Sequence, residues 1–323
     1  MMLLIIIGLV GLYLNLQHLW EPLKHSVKIA VSKTPLSTPF YVAKSIKSFD
    51  KTCVNVEYSE VLGGQIAFDK VMNGEVDFGT SSDSVIAFKS LSKQPFVTHA
   101  MFVQSDNDVK LITRSSDKIK SVIELKGKKI GVTKGTASEY LLSMLLAIEG
   151  LTMEDVKLYD YKPKGLIQSF SNEEIDAIVS WEPFVYEALQ LFNNKVKIHD
   201  TKSLSTLSFN LISQKADNQL VEKAKCVIQG LQTAINYIIS NPKESKKIVI
   251  DELKLDPAFI DWVWPDYIFK LGLNGSLILN INAQATWAVE TQMSEFRDVP
   301  NSERFIDSRA LIQVEPGAVN IPL

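Results

Sequence analysis

Hydroxyl, amide and carboxyl side chains follow several strand signals in this sequence, in loops that could hydrogen-bond a small molecule. Two of these loops, 80–83 and 134–138, lead from a strand signal into a helix start, where backbone N–H groups lack helical partners. Such residue types favour reversible binding. The candidate ligand contacts are Thr34, Pro35, Leu36, Ser37, Thr38, Gly64, Gln65, Thr80, Ser81, Asp83, Gly135, Thr136, Ala137, Ser138, Trp181, Glu182 and Asn210.

The loop before the second of these helices is the most informative. Thr136 and Glu139 have the spacing of a capping box, directly before an apolar helical stretch. A positive helix end at this place favours an anionic or strongly polar ligand group. The acid Glu139 in the first turn favours a singly charged sulfonate or carboxylate over a phosphate. A plain helix start is the alternative interpretation, and a satisfied N-cap is the alternative for loop 80–83.

Two further candidates follow a buried strand signal at 175–181. Trp181 could offer a flat aromatic face at a cleft edge, or could belong to the hydrophobic core. Glu182 could accept a hydrogen bond from a ligand amine, or could be a first-turn helix acid without a ligand.

Catalytic and metal-binding patterns are absent from the sequence. It contains no G-x-S-x-G, H-E-x-x-H, P-loop or G-x-G-x-x-G motif, so we predict no enzyme activity, cofactor or metal site. A net charge of −3 and only four Arg among 34 basic residues exclude a nucleic-acid-binding footprint. For Cys53 and Cys226 we favour two buried thiols, with a disulfide left open.

Strand and helix signals alternate from residue 26 onward, and the pattern occurs twice. The segment VKIAVSK at 27–33 matches KKIGVTK at 128–134, and NGEVD at 73–77 matches NEEID at 172–176. The two offsets are nearly equal, which indicates a structural repeat. Alternating strands and helices predict an α/β fold in which mainly parallel sheets are flanked by helices.

Two repeats predict two lobes, with the ligand held between them. We expect residues 26–111 with 212–323 to form the first lobe and 112–211 to form the second. The chain would cross between the lobes at strands near 109–114 and 208–213, and the helical tail would pack on the first lobe. Ligands of open α/β sheets lie beyond the carboxyl ends of the strands, and those ends would meet at the cleft.

The N-terminal segment is uncharged and apolar. Residues 1–20 carry no charged side chain, and a stretch of this length can span a bilayer as a helix. A basic start and a small-residue cleavage site are both missing. We therefore expect residues 1–25 to be an uncleaved anchor at the inner membrane, or a signal segment whose start lies upstream.

Four segments resemble the sulfonate/nitrate/taurine-type (NMT1-like) substrate-binding proteins of ABC importers. The most specific is ELKGKKIGVTKGTASEYLLSMLLAIEGLTMEDV at 124–156. The others are NGEVDFGTSSDSVIAF at 73–88, NEEIDAIVSWEPFVYEAL at 172–189 and ERFIDSRALIQV at 303–314. These segments are spread along the chain, and the resemblance extends over roughly residues 27 to 315.

This resemblance implies a type II periplasmic-binding-protein fold that closes by a hinge on a small solute. The solute would be a sulfonate, taurine, nitrate or pyrimidine-type molecule, delivered to a membrane permease. An extracytoplasmic monomer is the corresponding expectation. Arg114 is the only arginine near the candidate loops. The alternatives are a membrane-tethered ligand sensor and an enzyme similar to pyrimidine-precursor synthases, which use a cysteine-rich iron motif that this chain lacks.

Overall fold

The computed structural model describes residues 24–92, 94–193, 195–214, 217–292, 295 and 298–321. In this part of the chain the strands are β1 (His25–Ser32), β2 (Val54–Val61), β3 (Phe78–Ser82), β4 (Phe96–Ser105), β5 (Val109–Arg114), β6 (Lys129–Val132), β7 (Lys157–Asp160), β8 (Ala177–Trp181), β9 (Val196–Ile198), β10 (Leu207–Gln214), β11 (Tyr267–Asn274) and β12 (Val319–Asn320). The α-helices are α1 (Thr38–Ser45), α2 (Gly64–Met72), α3 (Asp83–Ser90), α4 (Ala137–Ile148), α5 (Pro163–Ser171), α6 (Phe184–Leu191), α7 (Asn218–Ser240), α8 (Pro242–Leu253), α9 (Pro257–Val263), α10 (Gly275–Glu290) and α11 (Leu311–Val314).

The strands form two sheets. The first has the order β12-β11-β4-β10-β3-β1-β2, and the second has the order β7-β6-β8-β5-β9. The α/β fold with two sheets is confirmed. Each sheet is mixed, because the crossing strands run against the repeats: β10 is antiparallel to β3, and β5 is antiparallel to β8.

The predicted repeat is confirmed in the strand arrangement. β1 lies between β3 and β2 in the first sheet, as β6 lies between β8 and β7 in the second, and all four pairings are parallel. The matched acids of NGEVD and NEEID perform the same task. Asp77 accepts a hydrogen bond from Lys28 N at 2.8 Å, and Asp176 accepts one from Lys129 N at 2.8 Å. Each carboxylate therefore fixes the backbone of the first strand of its repeat, β1 or β6.

Removing either strand-holding acid is expected to destabilise the protein modestly. Asp77→Ala and Asp176→Ala each lose a charge-assisted hydrogen bond to a backbone donor, which should lower the free energy of unfolding by about 1–2 kcal/mol. Urea unfolding followed by circular dichroism would measure this. Asp251→Ala, an exposed acid on α8, is the control and should change stability by less than about 0.5 kcal/mol. Equal effects in all three variants would refute the assigned role.

The C-terminal tail packs on the first sheet, as expected. Helix α7 lies against α1, helix α10 lies against α3, and β11 pairs with β4. Among the described residues, none of the helices combines the length and apolar composition that crossing a membrane requires. The predicted anchor at 1–20 lies outside the described residues.

The preference for two buried thiols was wrong, because Cys53 and Cys226 form a disulfide with an S–S distance of 2.10 Å. Cys53 precedes β2 and Cys226 lies on α7, 173 residues later in the chain. Packing of α7 beside the start of β2 brings the two Cα atoms to 5.6 Å, within the range that a disulfide spans. The bond ties the C-terminal helices to the first sheet.

Candidate functional site

A cavity of about 280 Å³ is lined by the first sheet with its helices and by α4, a helix that packs on β5 and β8 of the second sheet. Met101 on β4 and Asp83 at the start of α3 belong to the first sheet and its helices. Asn280 on α10 completes that side. Tyr140 and Met144, on α4 of the second sheet, form the facing wall. A molecule in this cavity would therefore contact both halves of the protein.

Asp83 places a buried carboxylate at this cavity. Its Oδ1 accepts a hydrogen bond from Ser84 N at 2.8 Å, and its Oδ2 accepts bonds from Ser208 N at 3.2 Å and Asn280 Nδ2 at 2.7 Å. Burial raises the pKa of Asp83 to about 7, although these hydrogen bonds favour the ionised form. A carboxyl group that titrates near neutrality and lines a cavity is a strong candidate for ligand recognition.

Tyr140 lines the cavity from the second half of the protein. Its ring meets that of Trp287 on α10 edge to face, with centroids 5.5 Å apart, and Trp287 in turn contacts Phe88 on α3 at 6.2 Å. Burial, with the nearby Asp83 charge second, raises the pKa of the Tyr140 hydroxyl. Tyr140 thus bridges the two sheets beside the buried acid.

The polar groups of the loop before α4 form hydrogen bonds with one another. Glu139 Oε2 accepts a hydrogen bond from Gly135 N at 2.8 Å, Thr136 Oγ1 donates to Thr133 O at 2.6 Å, and Ser138 Oγ lies 2.9 Å from Thr136 Oγ1. Glu139 therefore reaches one residue beyond the N-cap, Thr136, instead of closing the predicted capping box on it. Gly135, Thr136, Ala137 and Ser138 shape the start of the helix, and the residues that reach the cavity come one and two turns later.

The structure brings four predicted residues of the first sheet together behind Asp83. Ser81 Oγ donates to Gly64 O at 3.3 Å, and Asn210 Nδ2 donates to Ser81 O at 3.3 Å. Thr80 Oγ1 accepts a hydrogen bond from Ser32 N at 2.9 Å. Asn210 Oδ1 is buried without a partner among the described residues. These four residues line no part of the cavity around Tyr140, so their contact with a ligand stays a prediction.

The loop 34–38 forms a short 3₁₀ turn, Pro35–Ser37, that leads into α1. Thr34 Oγ1 caps it by accepting from Leu36 N at 3.4 Å, and Thr38 Oγ1 donates to Pro35 O at 2.5 Å. Ser37 Oγ is buried without a partner in the described residues, whereas Gln65 on α2 is exposed. None of these side chains lines the cavity, and their ligand role also stays a prediction.

Glu182 belongs to a buried polar network instead. Its Oε1 lies 2.9 Å from Lys110 Nζ and accepts a hydrogen bond from Trp262 Nε1 at 2.9 Å, while its Oε2 accepts one from Tyr186 N at 3.0 Å. Both oxygens are held by protein donors, so a ligand role for Glu182 stays a prediction. The neighbouring Trp181 is half-buried and contacts Phe184 edge to face at 6.1 Å.

Comparison with known proteins places this chain in a family. Residues 34–245 match the family described as NMT1/THI5 like, which is more than half of the chain. The chain belongs to the NMT1/THI5-like family. A relative named as a binding protein in Brucella abortus (strain 2308) is 25% identical over 202 residues. That match spans 61% of this chain and 62% of the relative's length.

Two solved structures share the fold of this NMT1/THI5-like protein. The periplasmic aliphatic sulphonate-binding protein SsuA from Escherichia coli is 19% identical with a TM-score of 0.73, over 87% of this chain and 97% of that one. The alkanesulfonate-binding protein SsuA from Xanthomonas axonopodis pv. citri, bound to MOPS, is 20% identical with a TM-score of 0.72, over 88% and 98% of the two chains. The predicted periplasmic-binding-protein fold is confirmed.

Arg114 lies at the wrong end of the second sheet to reach the cavity of this NMT1/THI5-like chain. Arg114 is the last residue of β5, and β5 runs antiparallel to β8. Arg114 therefore lies near the first residue of β8, whereas Val109, at the start of β5, pairs with Trp181 at the end of β8. Its guanidinium donates to Phe170 O at 2.8 Å and Ile175 O at 2.9 Å. The arginine therefore has a structural task away from the cavity.

Sequence reasoning found Asp83 but missed Tyr140, Met144 and Asn280. Tyr140 and Met144 follow the predicted cap Thr136 at four and eight residues, so the helical period could have placed both on the face of α4 that begins at the loop. Asn280 lies on the tail, far along the chain from both repeats. No signal in the sequence near it indicated a place at the cavity.

Proposed function

We propose that this protein is the extracytoplasmic solute-binding component of an ABC importer. It encloses a small polar or anionic solute between two lobes by hinge closure and performs no chemistry on it. The observation that carries the proposal is a cavity lined from both halves of the protein, by Asp83 and Asn280 beside the first sheet and by Tyr140 on a helix of the second. Such a site is completed only when the two halves approach each other.

The similar structures support a solute of the sulfonate class. Two of them are named for aliphatic sulphonate or alkanesulfonate binding. The region that matches this chain makes up 97% and 98% of those two proteins. The relative in Brucella abortus is named as a binding protein. On this basis the partners would be a small solute and a membrane permease.

We also propose the two-lobe division predicted above as residues 26–111 with 212–323 against 112–211, with both crossings moved toward the N-terminus. Strand β5 lies in the second sheet and β10 in the first, which supports crossings a few residues earlier, before Val109 and before Leu207. Attachment to the inner membrane through residues 1–20 remains part of the proposal for the full chain.

Solute binding should raise the melting temperature of the full-length protein. The panel is taurine, butanesulfonate, nitrate, bicarbonate and an aromatic carboxylate, scanned by differential scanning fluorimetry. A ligand at about 100 times its Kd stabilises the native state by about 2.7 kcal/mol. Tyr140→Ala removes the aromatic wall, so we expect the Kd of the selected ligand to rise about tenfold or more.

Tyr159→Ala is the matched control, because Tyr159 is a 38% exposed tyrosine on β7 of the same sheet. Its Kd should equal that of the unchanged protein. Equal binding by both tyrosine variants would exclude the cavity as the site. A cooperatively melting protein that no compound of the panel stabilises would count against the receptor function.

A further inference from the structure

Asn280 lines the cavity and keeps one hydrogen-bond acceptor available. Asn280 Nδ2 donates to Asp83 Oδ2 at 2.7 Å and to Thr206 O at 2.9 Å. An amide nitrogen carries two hydrogens, so both are used and the orientation of the amide is fixed. Its Oδ1, which has no partner among the described residues, is left to accept a bond from a ligand.

Asp83 adds a carboxylate at the same end of the cavity. Each carboxylate oxygen has two acceptor positions, and those of Oδ2 are taken by Ser208 N and Asn280 Nδ2. Oδ1 receives a bond from Ser84 N at 2.8 Å, and the side chain of Ser208 also donates to the carboxylate. Asp83 therefore contributes its negative charge, and together with Asn280 Oδ1 it forms what we call the acceptor end.

The charges around the cavity favour a donor at this end over an anion. No Lys, Arg or His is among the described residues that line it, and Asp83 is its acid. An anionic group here would meet a buried carboxylate with no compensating base, which is costly. A protonated amine would meet the Asn280 acceptor, the Asp83 charge and the ring of Tyr140, and each of these contacts favours a cation.

We propose that the cavity selects a solute carrying an amine or comparable N–H donor group, bound at the acceptor end by Asn280 Oδ1 beside Asp83. This inference rests on the proposed solute-binding function and names the chemistry of its ligand. A sulfonate on the same solute would lie at the other end of the cavity, away from the carboxylate.

Titration of Asp83 provides an independent signature. Since burial raises its pKa to about 7, about one tenth of the free protein is ionised at pH 6 and about nine tenths at pH 8. An amine that binds the ionised form should therefore bind about tenfold more tightly at pH 8. A sulfonate without an amine should bind no better at pH 8.

The other titratable groups near Asp83 supply no base to the cavity. Tyr140 faces it from α4, and burial raises its pKa above the usual value. Lys89 on α3 pairs with Asp69 of α2 at 2.8 Å, and Lys70 of α2 pairs with Glu75. The other charged groups of the packed helices are Glu139 of α4, whose pKa is raised by burial and whose carboxylate accepts a bond from Gly135 N, and Glu290, at the far end of α10. None of these is a base at the cavity.

The test uses aminopropanesulfonate, propanesulfonate and propylamine as probes for the full-length protein in isothermal titration calorimetry at pH 8. The first two differ only in the terminal amine. We expect aminopropanesulfonate to bind at least tenfold more tightly than propanesulfonate, and Asp83→Asn to reduce this ratio below about threefold. Asp217→Asn, which changes the N-cap of α7 to an equally good cap, should leave the ratio unchanged.

The outcomes separate this inference from the proposed function. If propanesulfonate binds as tightly as aminopropanesulfonate, the function stands and the amine selection is overturned. If the ratio persists in Asp83→Asn and in Asn280→Leu, the acceptor end is overturned as its cause. If no probe binds to a cooperatively melting protein, the amine selection is overturned and the solute-binding function loses its support as well.

Discussion

Lys110→Met is expected to lower the free energy of unfolding by about 3–5 kcal/mol, because it leaves the Glu182 carboxylate buried without its cation. The Lys110 and Glu182 side chains are 3% and 0% exposed, and their charged atoms lie 2.9 Å apart. Lys110 also donates to Asn107 O, and its ammonium lies 5.8 Å from the centre of the Trp262 ring. Water cannot replace this cation without opening the structure.

The network also includes a second buried acid. Asp108 Oδ1 accepts a hydrogen bond from Tyr267 of β11 at 3.1 Å, and its Oδ2 has no partner among the described residues. Burial raises the pKa of Asp108 to about 7, against the nearby charge of Lys110, which lowers it. Removing Lys110 therefore leaves two buried carboxylates, Asp108 and Glu182, without the cation that stabilises their charge.

Chemical denaturation of the purified protein would measure this loss. Lys157→Met, at an exposed position of β7, is the control and should change stability by less than about 0.5 kcal/mol. Adding Glu182→Gln to Lys110→Met should recover part of the loss, since a neutral amide oxygen still accepts the bond from Trp262. A loss below about 1 kcal/mol for Lys110→Met would contradict the assignment of a buried pair.

Removing the disulfide is expected to destabilise the protein by about 2–5 kcal/mol, because the unfolded chain regains the freedom of a long closed loop. The bond joins residues 173 positions apart, so its effect should lie toward the upper part of that range. The double variant Cys53→Ala and Cys226→Ala should therefore unfold at a lower urea concentration than the oxidised protein.

Reductant provides the matched comparison. Dithiothreitol should lower the urea midpoint of the unchanged protein toward that of the double variant and should leave the double variant unaffected. Mass spectrometry after thiol alkylation should find no free thiol in the oxidised, denatured protein. Two alkylated cysteines in the oxidised protein would show that the bond is not formed.

Local patterns predicted most of the architecture. These patterns are short β-branched strands, helix starts and the two matched segments at 27–33 and 128–134, and each depends only on residues that are close in sequence. The structure contains them as β1, β6 and the elements that flank these strands. The acids of NGEVD and NEEID were recognised only as a repeat. Their task of fixing the backbones of β1 and β6 is visible only in the structure, where the N–H groups of Lys28 and Lys129 donate to them.

The site depended on contacts that no local pattern encodes. Loop residues such as Thr136 and Ser138 had suitable chemistry, but their hydroxyls are satisfied within the loop itself. Asp83 reaches the cavity because it begins a helix that packs against α10, a helix from the opposite end of the chain.

The sequence by itself determined the α/β class, the duplicated strand order and the NMT1/THI5-like resemblance, because these follow from residue periodicity and short motifs. Tertiary structure decided the pairing of Cys53 with Cys226, the enclosure of Lys110 with Glu182 and the meeting of Tyr140 with Asn280. Each of these joins residues more than 70 positions apart. Their proximity depends on how two sheets and a long helical tail pack, which the spacing of residues along the chain does not encode.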